Sequence, residues 1–173
     1  MSVPDAAADA GDDRDDRIAD AADLSVIRPA IERDDVDASG RVGAVAYPYR
    51  VYRATATMTR PFVGDRTREY VVSLDRSRRI PLRADAYPET ETRTLTDVLV
   101  LPAEVTAAEA DEMTRDAVFK WTLRTHSLNE APDIDLLDPI DVYKVFWLAE
   151  RPDGDAIVDS VRGGERPLDD GPR

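Results

Sequence analysis

Residues Ala44 to Thr59 constrain the fold more than any other stretch of this chain. Tyr47, Tyr49 and Val51 fall on one face, and Tyr52, Ala54, Ala56 and Met58 on the other. That period of two predicts one long strand. Val63-Gly64-Asp65 then predicts a turn, and Arg68 to Leu74 a second strand through Tyr70, Val72 and Leu74. After the polar turn Asp75-Arg76-Ser77-Arg78, Ile80 to Arg83 predicts a third, so the region reads as a hairpin or a three-strand meander.

Asp23 is expected to cap a short helix through Leu24, Ile27 and Ile31, limited by Pro29. Leu95 to Leu101 predicts a strand ended by Pro102. The longest helix is predicted over 106–126, with Thr106 and Glu109 forming a capping box and Ala110, Met113, Ala117, Val118 and Trp121 on its apolar face. An acidic linker is expected around Pro132 and Pro139. Ile140 to Leu148 and Ala156 to Val161 then form a hairpin about Pro152-Asp153-Gly154.

Internal similarity suggests how these pieces are arranged. Tyr47-Pro48-Tyr49-Arg50-Val51-Tyr52 matches Tyr143-Lys144-Val145-Phe146-Trp147-Leu148, and each hairpin closes on a Val-rich strand with an Asp, Asp75 or Asp159. The expected fold class is therefore α+β: two helix-plus-antiparallel-hairpin halves, with a long helix packed on antiparallel sheet. Residues 1–22 are expected to be a disordered acidic arm, 23–101 the first half with an Arg-rich hairpin, 102–164 the second half with the long helix and C-terminal hairpin, and 165–173 a loose tail.

The run Trp147-Leu148-Ala149-Glu150, its turn, and Ile157-Val158-Asp159-Ser160-Val161-Arg162-Gly163-Gly164-Glu165 resembles the hairpin of PepSY-type modules. Tyr70 to Arg79 is similar but lacks the glycines. The resemblance implies a small α+β binding or regulatory element with no catalytic residues to carry over. The whole chain also resembles small proteins of haloarchaeal genomes and their integrated viruses.

Composition agrees with such a habitat. Of 23 basic residues 21 are Arg, Asp outnumbers Glu 26 to 10, and the net charge is −13. Dense short carboxylates hold hydration, and their repulsion is screened at molar salt. The acidic start without an apolar h-region argues against a secretory signal, and apolar runs fall far short of the roughly 20 residues of a membrane span, so a cytoplasmic location is expected. The absence of cysteine excludes disulfides, thiol nucleophiles and thiolate metal sites, and one histidine excludes a multi-histidine centre.

Little catalytic chemistry is legible. His126 falls where the long helix should end and suits a capping role at the negative end of the dipole. Asp133-x-Asp135-x-x-Asp138 lacks the Gly and distal Glu of a calcium loop, and Gly163-Gly164 precedes no phosphate-binding Lys. Neither a catalytic residue nor a cofactor is expected.

Charge segregation is the feature above background. Residues 41–83 carry ten arginines against Asp65, Glu69 and Asp75, whereas the flanking segments are strongly acidic. Arg50, Arg53, Arg76, Arg78 and Arg79 are the candidate anion or nucleic-acid contacts, interleaved with tyrosines that could stack on bases. The same arginines could instead pair with acidic residues of the chain or of a second copy. The expected function is a non-enzymatic interaction or accessory protein with a protein partner or itself. The alternative is a nucleic-acid-associated accessory protein using hairpin 50–83. Pro48, which cannot donate to a ladder, places Tyr47-Pro48-Tyr49 at a sheet edge that could accept a partner's strand.

Overall fold

The computed structural model describes residues 18–127 and 130–168. It contains eight strands, β1 (Ile18–Ile27), β2 (Val42–Met58), β3 (Arg66–Asp75), β4 (Ile80–Ala84), β5 (Thr90–Val100), β6 (Asp133–Ala149), β7 (Ala156–Asp159) and β8 (Glu165–Pro167). Its α-helix is α1 (Ala107–Thr125), and Arg33–Asp35 form one 3-10 turn.

This corrects the expected α+β plan of two helix-plus-hairpin halves. The protein is mostly β, one sheet that closes into a barrel, and among the described residues a single α-helix lies against one end of it. Tyr47–Tyr52 and Tyr143–Leu148, matched above as repeats, lie on two strands that pair with each other. Tyr47 lies opposite Lys144 and Ala46 opposite Val145 in the antiparallel pairing of β2 with β6. Two similar alternating segments satisfy each other's backbone groups as readily as they build separate hairpins.

The helix expected after Asp23 is strand β1, with Ala22, Leu24 and Val26 more covered than Ala21, Asp23 and Ser25. It pairs antiparallel with β5 from Ile18 opposite Leu99 to Ile27 opposite Thr90. Thr94 of β5 donates a hydrogen bond to the Asp23 carboxylate, so Asp23 serves a cross-strand pair in place of a helix cap. Residues 18–22, read as the end of the acidic arm, belong to this strand, and the rest of the arm lies outside the described residues. Part of the expected C-terminal tail is β8, and 169–173 also lie outside.

Two long strands organise the rest. One edge of β2 pairs with β6 almost end to end. The other edge changes partner, from β5 in parallel at Ala44–Ala46 to β3 in antiparallel from Tyr49 onward. Pro48 sits at that change, buried, with its carbonyl accepting from Arg76 N. The missing N–H thus falls at the gap between β5 and β3 on that edge, while β6 pairs Pro48 with Tyr143 on the other, so Pro48 lies inside the sheet and not at the free edge expected for Tyr47–Tyr49. The expected linker around Pro139 is the bulged first half of β6. Its register slips between Val51 and Arg53, and Asp138 takes a positive φ of 49°.

At one end, β2, β5, β1 and β6 close into a small barrel through the bridge between Val26 and Tyr143. Trp147 fills it among Val26, Ala44, Ala46, Leu95, Val98 and Val145. Ala44 opposite Trp147 and the nearby Ala46 leave room for the indole. At the other end, α1 lies on β2 and β3, with Ala110, Val118 and the preceding Val105 against Tyr52, Ala54, Ala56, Tyr70, Val72 and Leu74. Its capping box is formed as expected, Glu109 N donating to Thr106 Oγ1 at 3.2 Å and Thr106 N to Glu109 Oε2 at 2.8 Å. His126 is the C-cap residue.

Candidate functional site

Alternation along β2 and β6 gives them a second face, away from both cores. Tyr47 and Tyr49 of β2, Lys144 and Phe146 of β6, and Ser73 and Asp75 of β3 share it by register. A cleft of about 360 Å3 opens on this face, bordered by Tyr49, Ser73, Leu82, Arg83, Lys144, Asp159 and Arg162. It continues into a shallower hollow through the shared residues Ile27, Ala86, Pro88 and Val161.

The polar groups in the cleft are held firmly. Lys144 Nζ lies 2.8 Å from Asp159 Oδ2, each side chain 17% exposed. Asp159 also accepts from the N–H groups of Val161 at 2.9 Å and Arg162 at 3.1 Å, an Asx turn that ends β7. Burial pushes the Asp159 carboxyl upward, but the hydrogen bonds from Lys144 and these two backbone groups outweigh it and leave the pKa below the ordinary aspartate range.

Asp75 does the same for the β3–β4 turn. It is 1% exposed and accepts from Ser77 N at 2.9 Å, Ser77 Oγ at 2.7 Å and Arg78 N at 3.0 Å. Between these two turns lies the buried Tyr49. Burial first, then the Asp75 carboxylate, push its phenol well above the ordinary tyrosine range. Arg78 stacks 4.4 Å from the Tyr47 ring, which meets Phe146 edge-on at 5.1 Å. Lone pairs committed to this many donors leave neither aspartate poised as a general base.

Linkage gives a test of this geometry. With its folded pKa depressed, Asp159 contributes stability that is fully present above the unfolded aspartate value and is lost as pH falls through the folded one. Asp159→Asn is expected to cost about 1–2 kcal/mol at neutral pH. In urea unfolding as a function of pH, its gap from wild type should close only in acid below 3.8.

The sequence-predicted arginines are dispersed by the fold. Arg50 and Arg76 meet at Asp141, at 2.7 and 3.2 Å, and Arg50 also reaches Asp111 at 3.5 Å. Tyr52 donates to that same Asp111 at 2.7 Å. Arg53 lies 3.6 Å from Asp138 and stacks over Tyr87. Arg78 pairs with Asp75 at 3.5 Å. Arg79, exposed at a positive φ of 62°, has no carboxylate within salt-bridge distance among the described residues and acts on Glu109 only at longer range. Asp133, Asp135 and Asp138 are exposed along β6, and among the described residues no group of three His, Asp or Glu converges as a metal site.

The cleft escaped the sequence reading. Its only traces there were the Asp that closes each Val-rich strand and Lys144, one of two lysines in the chain. Comparison of the chain with family models, with curated proteins and with solved structures finds no match. Among the described residues no helix is long and apolar enough to cross a membrane.

Proposed function

We propose that this chain is a non-enzymatic interaction protein whose outer-face cleft binds an extended segment of a protein partner. The observation that carries the reading is the cleft's composition: an apolar floor at Ile27 and Leu82, bordered by the cation Arg162 on one side and Asp85 on the other, with Lys144 and Asp159 already paired inside it. Such a groove suits a peptide that offers an apolar side chain next to a carboxylate.

The free edge of β4 borders it, with Ile80 and Leu82 44% and 46% exposed. Pro81 supplies no N–H to that edge, so side-chain contacts in the cleft carry recognition more than added ladder bonds. The acidic, arginine-rich composition fits an accessory role in the cytoplasm of a halophilic archaeon or one of its mobile elements. Nucleic acid is the less favoured partner, because Arg50, Arg53, Arg76 and Arg78 each already face a carboxylate.

Panning the full chain against a displayed library of random extended peptides tests the reading. Sequences pairing an apolar residue with Asp or Glu should be enriched, and Leu82→Asp or Arg162→Glu should weaken them about tenfold or more. The reading fails if no peptide is enriched. Tight binding of a duplex DNA probe in the same assay, insensitive to Leu82→Asp, would replace it with the nucleic-acid alternative.

A further inference from the structure

The loop joining β2 to β3 breaks two local rules at once. Val63 N donates to Arg60 O at 3.4 Å, so Arg60-Pro61-Phe62-Val63 is a turn, and Phe62 takes φ +69° at its third position. A turn with Pro second and a positive φ third is type II, where glycine is the usual residue. Phe62 is instead there, strained and wholly exposed, and Val63 beside it is 76% exposed. Strain that serves only to hold an aromatic ring out in water has no rationale within the monomer.

Arg60, Arg66 and Arg68 flank this tip. Among the described residues none of the three has a carboxylate within salt-bridge distance; with Asp65 in the tip and Arg68 lying over the Tyr70 ring at 5.6 Å, the apolar knob carries a collar of net positive charge.

A complementary hollow lies at the opposite end of β2. Gly43, Leu99 and Leu148 give it an apolar floor and Leu168 an exposed apolar lip, with a volume of about 230 Å3. Cavities of about 150 Å3 hold benzene, a ring the size of the Phe62 side chain. Asp97, paired with Arg41, stands on its rim with Glu150 and Asp155, which leaves the rim acidic by two charges. Knob and hollow are separated by roughly 50 Å of extended strand, so one copy cannot fill its own hollow.

We propose that Phe62 and Val63 of one copy enter the hollow beside Gly43 in a second copy, Arg60, Arg66 and Arg68 meeting its acidic rim. Because the two surfaces differ, the contact either propagates head-to-tail into a chain or ring, or closes as a two-fold pair in which each copy's knob fills the other's hollow. The inference rests on the reading of this chain as an interaction protein, and names a second copy as a partner at a surface distinct from the cleft.

Sedimentation velocity of the full chain over a wide concentration range, in roughly molar KCl to screen the net repulsion between copies, is the test. Wild type should show mass-action association. Phe62→Asp, at an exposed site, should weaken association about tenfold or more. Gly43→Leu should block the hollow from the other side; a Cβ there meets only Asp97, at 3.8 Å or beyond, so the strand accepts a side chain. If that variant misfolds by circular dichroism, Leu168→Asp on the exposed lip replaces it.

Neither variant should assemble alone, whereas an equimolar mixture should form a dimer and stop, the plugged copy lending its knob to the knobless copy's hollow. A wild type monomeric throughout, association that survives Phe62→Asp, or a mixture that stays monomeric overturns the proposal. Peptide binding in the cleft, measured on the Phe62→Asp protein, keeps the two readings apart. Loss of assembly with cleft binding intact removes this inference alone, and assembly without cleft binding removes the other.

Discussion

Trp147→Ala is expected to lower the stability of the protein by about 3–5 kcal/mol, enough to unfold a large fraction of molecules if total stability is near the low end for domains of this size. The indole is 1% exposed and fills the closed barrel, touching residues of β1, β2, β5, β6 and β7 in one cluster. Its Nε1 also donates to Ile31 O at 2.8 Å, fastening the segment after β1 across the barrel mouth, and Arg33 lies over the ring at 5.2 Å. Truncation therefore removes packing, leaves a cavity that rigid strands close poorly, and strands a carbonyl. Urea unfolding should show a lower midpoint with little change in slope. A loss under 1.5 kcal/mol would mean that the barrel is not the stabilising unit proposed here. Trp121, only partly buried beside Tyr70, should lose less on the same truncation.

Arg76→Glu should cost about 2–4 kcal/mol, while Arg79→Glu three residues on should stay within about 0.5. Arg76 is 18% exposed, its Nε donates to Val105 O at 2.9 Å, and its Nη1 shares Asp141 with Arg50. Its backbone adds two more ties, donating to Pro48 O and accepting from Glu104 N, each at 2.9 Å. A glutamate there orphans the Val105 carbonyl and faces Asp141 with a like charge. Arg79 sits exposed in the turn with no such contacts among the described residues. The contrast bears on function: a combined reversal at 76, 78 and 79 would damage the fold and any polyanion site together. Arg79→Glu alone, assayed for DNA binding and for thermal stability, separates the two effects.

Much of the local structure is legible in the residues themselves. The alternation of β2, the hairpin to β3 and β4, and the helix begun by Thr106 and Glu109 all follow from patterns whose causes are local: side-chain direction, turn chemistry and capping. Each of those elements exists with ends shifted by a residue or two. Asp75 and Asp159 recur for a local reason as well, each capping the turn after its strand.

Failures occurred where a local pattern admits two answers. Leu24, Ile27 and Ile31 fit one helical face, but Ala22, Leu24 and Val26 fit a strand equally well, and only the free edge of β5 decided between them. Pro139 looks like a break until β2 lies alongside and the bulge absorbs it. Partnership itself was illegible, because two similar alternating strands can be read as repeats or as a pair. The candidate site suffered most from this. The cleft draws Tyr49, Lys144, Leu82 and Asp159 from four strands spread over more than a hundred residues, and no spacing in the sequence announces such a meeting.

By itself, then, the sequence determined β2, β3, β4 and the helix, the absence of thiol chemistry, and an uneven charge distribution, since each is a property of neighbours along the chain. The closure of the barrel, the pairing of Arg50, Arg53, Arg76 and Arg78 with carboxylates, and the placing of knob and hollow at opposite ends of β2 were decided only in three dimensions. They depend on contacts between residues far apart in sequence, and long-range pairing is selected by the burial and hydrogen bonding of the whole sheet at once.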